Sequence, residues 1–393
     1  MEDQYRMYKW LVLTLISINM FFSAVAGMMV SPLFQEIALE IPITKAQMGM
    51  IIGNLMLASI FFSSLAGGLS DKIGCRWICG AAILITGVAG GLRYFVHSPT
   101  ALMLSMFGIG IGVAILMPLT PKILSSMFPI ERLTTVNGIA GAAFGLGGAV
   151  AMGTSVRFLS PAFHGWRGIA LVSAGISIAM GLLWLVLYRD RDLKQDDPAQ
   201  HGNMINNFKK ILKIKDLWFL IIAYPFLCAS PMSLQALLPV IFQEKGVANA
   251  GELVSVFMFA NLIFLIIGGI VSDKIGRRKN LVVILGLVFA AAIPCFLFLT
   301  GTPLVLALIV AGIASGPTAY ILITATIEME QVGSALAGTA IGVLMMVGTL
   351  GSSFGPGIVG KLIDLTGSPW PGFLFLALCS IFSGLIILPS KIK

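Results

Sequence analysis

The sequence predicts an all-α membrane protein of twelve transmembrane helices, arranged as two six-helix bundles related by a pseudo-twofold axis. Three observations carry this expectation. Hydrophobic residues make up 58% of the 393 and charged residues only 11%, with a mean hydropathy of +0.98, well beyond a soluble globular domain. The apolar residues fall into separate blocks about 20 residues long, the length that crosses a bilayer as a helix. A polar pentapeptide, Ser70-Asp71-Lys72-Ile73-Gly74, returns word for word as Ser272-Asp273-Lys274-Ile275-Gly276.

The blocks lie at 10–31, 47–68, 78–97, 101–121, 134–156, 167–188, 217–241, 252–271, 280–300, 303–325, 333–359 and 371–389. They are helices and not barrel strands, which run about 10 residues and alternate polar with apolar. The first block is too long for a signal-peptide core alone and shows no convincing small-residue cleavage site, so it is read as a retained span. An even number of spans puts both termini on one side. Loops on that side hold most of the 25 basic residues, leaving Lys45, Arg93, Arg157, Arg167, Lys245 and Lys361 for the other. The positive-inside rule then places both termini in the cytoplasm of a multi-pass inner-membrane protein. The net charge of +8 thereby reports topology, and no nucleic-acid partner is expected. Cys75 and Cys79 have i, i+4 spacing but lack a nearby His or second Cys pair, so they read as small buried hydrophobes; no metal and no cofactor is expected.

The long polar segment 189–216 mixes both charge signs with Pro, Gly and Asn and reads as a cytoplasmic linker. It divides an N-terminal six-helix bundle, 1–188, from a C-terminal one, 217–393. Further echoes support duplication. Pro32-Leu33-Phe34-Gln35-Glu36 follows the first span, and Pro239-Val240-Ile241-Phe242-Gln243-Glu244 follows the seventh. Thr44 stands three residues before Gln47, and Asn249 three before Glu252, a spacing that lets each pair cap an entering helix reciprocally.

The series Gly67-x-x-x-Asp71-Lys72-x-Gly74-x-Arg76 and Gly269-x-x-x-Asp273-Lys274-x-Gly276-x-Arg278-Lys279 join the second and third helix of each half. They resemble the cytoplasmic loop signature of the major facilitator superfamily. The six-plus-six topology, the central linker and Gly355-Pro356 in the eleventh span are similar to that family too. The resemblance implies a transporter whose solute path lies between the bundles, lined by spans 1, 2, 4, 5, 7, 8, 10 and 11. It names no substrate.

The loop chemistry is readable on its own terms. Gly74 and Gly276 permit the tight turn that a short helix-to-helix connection needs. Asp71 with Lys72 and Arg76, and Asp273 with Lys274 and Arg278, are placed to pair with each other or with neighbouring helix ends, contacts that would exist only while the cytoplasmic side is shut. A turn kept only for positive charge has no need of Asp at the same place twice, which favours a gating role for Gly67, Asp71, Lys72, Gly74, Arg76, Gly269, Asp273, Lys274, Gly276 and Arg278. Cys75 and Trp77 stand where the family usually has further basic residues, so the first loop is expected to hold its partner less firmly than the second.

On these boundaries no span carries an ionisable residue near its middle other than Cys or Tyr. Arg93 and Arg157 fall in the last turns of spans three and five; snorkelling to the interface is the expected role, with anion capture as the alternative. The fourth span lacks the arginine that the family usually shows ahead of its glycine run, which argues against proton coupling. The polar candidates are Asn19, Asn54, Asn137, Gln235, Asn261 and Tyr320, where solute contact and helix-packing hydrogen bonds are both open. Gly108/Gly112, Gly141/Gly145 and Gly351/Gly355 allow close helix approach, while Pro118, Pro225, Pro231, Pro317 and Pro356 are expected to interrupt or kink spans.

Gly355-Pro-Gly-Ile-Val-Gly360-Lys361 imitates a phosphate-binding loop but continues with Leu362 where Ser or Thr must stand, and no strand precedes it. The expected function is therefore secondary transport, without ATP and without enzymatic chemistry, of a small neutral or weakly charged solute by alternating access in a monomer, with H+ or Na+ as the candidate coupling ions. An anion carrier using Arg93 and Arg157, a multidrug exporter lined by Met117, Met345 and Met346, and a non-transporting sensor are the alternatives.

Overall fold

In lipid a backbone satisfies its polar groups internally, and long apolar blocks do so as helices. The computed structural model describes residues 2–190, 204–247, 249–329 and 331–390, so the linker stretch 191–203 and Glu330 lie outside the described residues. Every regular element among the described residues is helical. In chain order these are α1 (Glu2–Met28), α2 (Phe34–Glu40), α3 (Lys45–Ile73), α4 (Cys75–Leu92), α5 (Pro99–Ser125), α6 (Ile130–Thr154), α7 (Ser160–Ala162), α8 (Trp166–Leu187), α9 (Met204–Ile211), α10 (Lys215–Glu244), α11 (Ala250–Ile275), α12 (Arg278–Phe298), α13 (Gly301–Ser315), α14 (Thr318–Ile327), α15 (Gly333–Thr366) and α16 (Trp370–Ile387). Among the described residues twelve helical stretches are long and apolar enough to cross a membrane, one for each block expected from the sequence.

The departures are local. The short helix α2 buries Phe34 and Ile37, an i, i+3 pair. Span five leaves α6 through a π turn, Ser155–Leu159, before α7. Of the five prolines expected to interrupt spans, only Pro317 does so: α13 ends at Ser315, α14 begins at Thr318, and the Thr318 hydroxyl donates to the Ser315 carbonyl at 2.9 Å. Pro118, Pro225, Pro231 and Pro356 sit inside continuous helices. The first capping box forms, with Thr44 N–H donating to Gln47 Oε1 at 3.0 Å and Gln47 N–H to Thr44 Oγ1 at 3.2 Å. The second does not form as expected, because Asn249 has φ −104° and ψ 35°, outside the extended region that aims a capping side chain, and makes no side-chain cap.

Two compact units result, Met1–Ile43 with Asn54–Asp196, and Thr44–Gly53 with Asp197–Lys393. In the first, α4 packs against α5 and α8 around Cys79, Ile83, Leu119 and Trp184. Gly112 lies so close to Thr86 and the Ala82 carbonyl that a Cβ would collide with both. In the second, α10 packs against α15 and α16 around Leu220, Tyr224, Ile321 and Leu344, and Gly351 abuts the Pro225 carbonyl. The opening turns of α3 belong to this second unit. Gly49 and Gly53 press on the carbonyls of Pro356 and Ser353, and Asp364 accepts the N–H groups of Lys45 and Ala46 at 2.9 Å each. By contrast a Cβ on Gly141 would meet nothing within 4 Å, so that glycine is not explained by packing.

Candidate functional site

The two repeated loops adopt related but unequal geometry. In the first, Gly74 has φ +91° and ψ 151°, a conformation essentially reserved for glycine, and a Cβ there would run into the Asp190 carboxylate. That carboxylate accepts the Arg76 backbone N–H at 3.2 Å and so caps the start of α4. The Arg76 side chain donates through Nε to the Leu185 carbonyl at 2.8 Å, and Trp184 Nε1 donates to the Arg76 carbonyl at 3.1 Å. Asp71 pairs with Lys122 at the end of α5, and the same ammonium donates to Ser70 Oγ at 2.8 Å. Of the two kinds of partner left open for Asp71 it takes a helix end and not the bases just after it: Lys72 is exposed and unpaired among the described residues, and Arg76 is committed to the end of α8.

In the second loop, Gly276 has φ +66° and ψ 2°, the left-handed end of α11. Arg278 takes Glu328 in a two-pronged pair at 2.6 and 2.7 Å, Asp273 at 2.9 Å and Ser272 Oγ at 3.1 Å. Lys274, like Lys72, is exposed and unpaired among the described residues. A Cβ on Gly67 or Gly269 would meet nothing within 4 Å, so neither glycine is required by packing inside its own unit.

Elsewhere the charged side chains gather at helix ends. The final carbonyls of a helix lack intrahelical partners and carry partial negative charge, so a cation is favoured there. Arg93 fills that role for α1: it is 0% exposed, donates through Nη1 to the Ala26 carbonyl and through Nε to Ser105 Oγ at 3.1 Å, and lies against the Met106 sulfur. The snorkelling expected of Arg93 is therefore wrong, because its acceptors lie inside the bundle. Arg167 serves the 3-10 turn Arg93–Phe95 that follows α4, reaching the carbonyls of Tyr94 and Val96, and pairs with Glu40 at 2.8 Å. Lys245 donates to the Leu297 carbonyl at 2.6 Å, and Lys279 to Ser390 at 3.0 Å. Carboxylates take the opposite ends: Glu36 accepts the Trp166 N–H at 2.7 Å, as Asp190 serves α4 and Asp364 serves α3. Arg157 sits in the π turn with its guanidinium 5.5 Å from the Phe158 ring centre.

The polar candidates within spans separate by what holds them. Asn19 is buried and donates to Leu15 of its own helix at 2.7 Å; Asn54 reaches the Met103 carbonyl at 3.3 Å. Asn261 donates to Ser315 Oγ at 2.9 Å, bracing the break between α13 and α14, and Gln235 is half-buried on α10. Asn137 donates to Leu133 at 2.9 Å, but its Oδ1 is buried without a partner. Tyr320 is 57% exposed. Nearby in the second unit, Gly348 leaves space that Tyr224 and Cys228 share. A cavity of about 10 Å³, bordered by Ser315, Thr318 and Ser380 and by apolar Leu227, Pro231 and Phe289, has room for one water and not for a solute. Among the described residues no group of His, Cys, Asp and Glu is arranged to hold a metal ion.

The Major Facilitator Superfamily profile matches residues 16–356 and, overlapping, 238–391. The chain is 26% identical over 375 residues to a probable nitrate transporter, NarT, of Staphylococcus carnosus strain TM300, covering 92% of both. It is equally identical over 346 residues to an uncharacterized transporter, YycB, of Bacillus subtilis strain 168, covering 86% of this chain and 83% of that one. Among solved structures it superposes on the nucleoside transporter NupG with TM-score 0.77 at 18% identity, covering 97% and 99% of the two chains. A bacterial homolog of the human lysosomal transporter Spinster gives 0.75 at 15%, covering 98% and 95%. At these identities the structural likeness speaks to the fold alone.

Proposed function

The chain belongs to the Major Facilitator Superfamily of secondary transporters, and on that premise we propose that it carries a small neutral or weakly charged solute by alternating access. One observation supports the neutral solute most: the buried arginine that is the best candidate for holding an anion, Arg93, gives its hydrogen bonds to protein acceptors at the end of α1. The span groups offered to a solute are then uncharged, chief among them the unpaired Oδ1 of Asn137 and the exposed Tyr320 ring with its hydroxyl. A donor-bearing solute suits the first, and a flat or apolar face suits the second. Among the described residues the carboxylates stand within about a turn of helix ends, which favours facilitated diffusion or exchange over proton symport.

The same reading places both termini in the cytoplasm and makes the two loops braces at the inner helix ends. Ser70-Asp71 and Ser272-Asp273 each clasp a cation and fix the end of the second helix of their half. The partners seen for both aspartates lie within their own unit, so the loops brace helix ends while the bundles rock.

A second reading, carriage of a small inorganic anion, is favoured by the relatives named as nitrate transporters. Thermal shift against a metabolite library, followed by flux of each hit into proteoliposomes at imposed membrane potentials, separates the two. The neutral reading expects a flux independent of potential. A flux that follows the potential through the charge of the solute itself would overturn it.

A further inference from the structure

The helix α9 and the turn that follows it carry three faces. Ile211 is fully buried and Ile214 nearly so, against Val332 and Ala340 of the chain leading into and along α15. Phe208 and Leu212, four residues apart, are 41% and 38% exposed. Lys209 and Lys213, also four apart, and Lys210 are exposed beside them, and none makes an ion pair among the described residues. Lys215 stands next, at the first position of span seven.

Span seven fixes the position of α9 along the membrane normal. Only three residues separate Ile211 from the start of α10, and the Trp218 indole N–H donates to the Leu212 carbonyl at 2.9 Å. Trp218 is itself 42% exposed in the first turn of the span, where the ring of a tryptophan marks headgroup depth. A short helix at that depth, with two outward apolar side chains and unpaired lysines about a quarter-turn away, has the form of an interfacial amphipathic segment. Its charge is complementary to an acidic lipid surface, and its apolar edge to the upper acyl chain.

We infer that α9 and the turn after it, Phe208 to Lys215, form a docking surface for anionic phospholipid headgroups, with Phe208 and Leu212 seated at the acyl boundary and Lys209, Lys210 and Lys213 on the phosphates. This surface is independent of the transported solute. It ties the second unit to its lipid through the same helix that packs on α15, so lipid charge acts on the helix ends of that unit.

The test uses the full chain in phosphatidylcholine proteoliposomes doped with a photoactivatable phosphatidylglycerol, with cross-linked peptides mapped by mass spectrometry. The expected result is labelling within 204–218, competed by unlabelled phosphatidylglycerol but not by phosphatidylcholine or millimolar inorganic phosphate. Each surface lysine is worth about fivefold in affinity for an acidic membrane, so the triple variant Lys209→Gln, Lys210→Gln, Lys213→Gln should weaken the labelling on the order of a hundredfold. The triple Lys→Arg variant should restore it, which guards against a folding artefact. Equal competition by phosphatidylcholine, displacement by free phosphate, or undiminished labelling in the Gln variant would overturn the proposal; the second would make this a phosphate site and not a lipid one.

Discussion

The loop between α3 and α4 and the loop between α11 and α12 contain the same five residues, yet they are held by different means. In both, a Ser-Asp pair clasps one cation. In the first, that cation arrives from α5 as Lys122, 51 residues away in the chain; in the second it is Arg278 at the start of α12, just past the turn, whose other carboxylate is Glu328 at the end of α14, 50 residues on. The distant residue thus changes sign between the halves while the local peptide stays constant. The lesson is that the pentapeptide supplies a turn and a carboxylate, and the partner at the end of the fourth helix decides how strongly it is held. One ammonium bridging Ser70 and Asp71 is easier to lose than a guanidinium sharing two carboxylates.

The sharpest way to probe this difference is at the turn glycines. Gly74→Ala meets both a glycine-only backbone region and the Asp190 carboxylate, so it should cost about 2–3 kcal/mol and lower the melting temperature clearly. Gly276→Ala, in the left-handed region with open space around it, should cost only about 1 kcal/mol, and Gly276→Asn close to nothing. Equal losses at the two glycines would erase the asymmetry. Next in size, Arg278→Ala leaves Asp273 and Glu328 facing each other without their cation and should cost about 1 kcal/mol, reduced from a buried pair by the exposure of both carboxylates. Smaller still, Asp71→Asn should cost about 0.5 kcal/mol and Asp273→Asn only a few tenths, because Glu328 keeps Arg278 paired in the second case. A double-mutant cycle read by thermal melting, Asp71→Asn with Lys122→Gln against Asp273→Asn with Arg278→Gln, gives the ordering directly.

Much of this is legible in the chain. Twelve apolar blocks become twelve spans because a bilayer-length helix has no cheaper alternative, and both turn glycines adopt positive φ as the short connections demand. The Thr44–Gln47 box forms because both partners are local. Partners fixed by packing are not legible in the same way. Lys122, Glu328 and Asp190 are distant in the chain, although the first charged residue after each fourth helix is visible as a signal. Arg93 looks like a candidate anion site because reading along one helix cannot show that α1 ends beside it with an unclaimed carbonyl at Ala26. The interrupted span is foreseen at Pro317 but equally at four other prolines. Those four lie in helices that continue, since a single missing N–H is tolerated where neighbouring helices hold the chain.

The helix-end role of the charges and the proposed neutrality of the solute path stand together, and nitrate tests them most directly. Uptake of labelled nitrate into proteoliposomes under an inside-positive potential should equal that of protein-free liposomes. Protein-dependent uptake that rises with the potential, and that disappears in Arg93→Gln protein shown by its melting profile to be folded, would contradict the account.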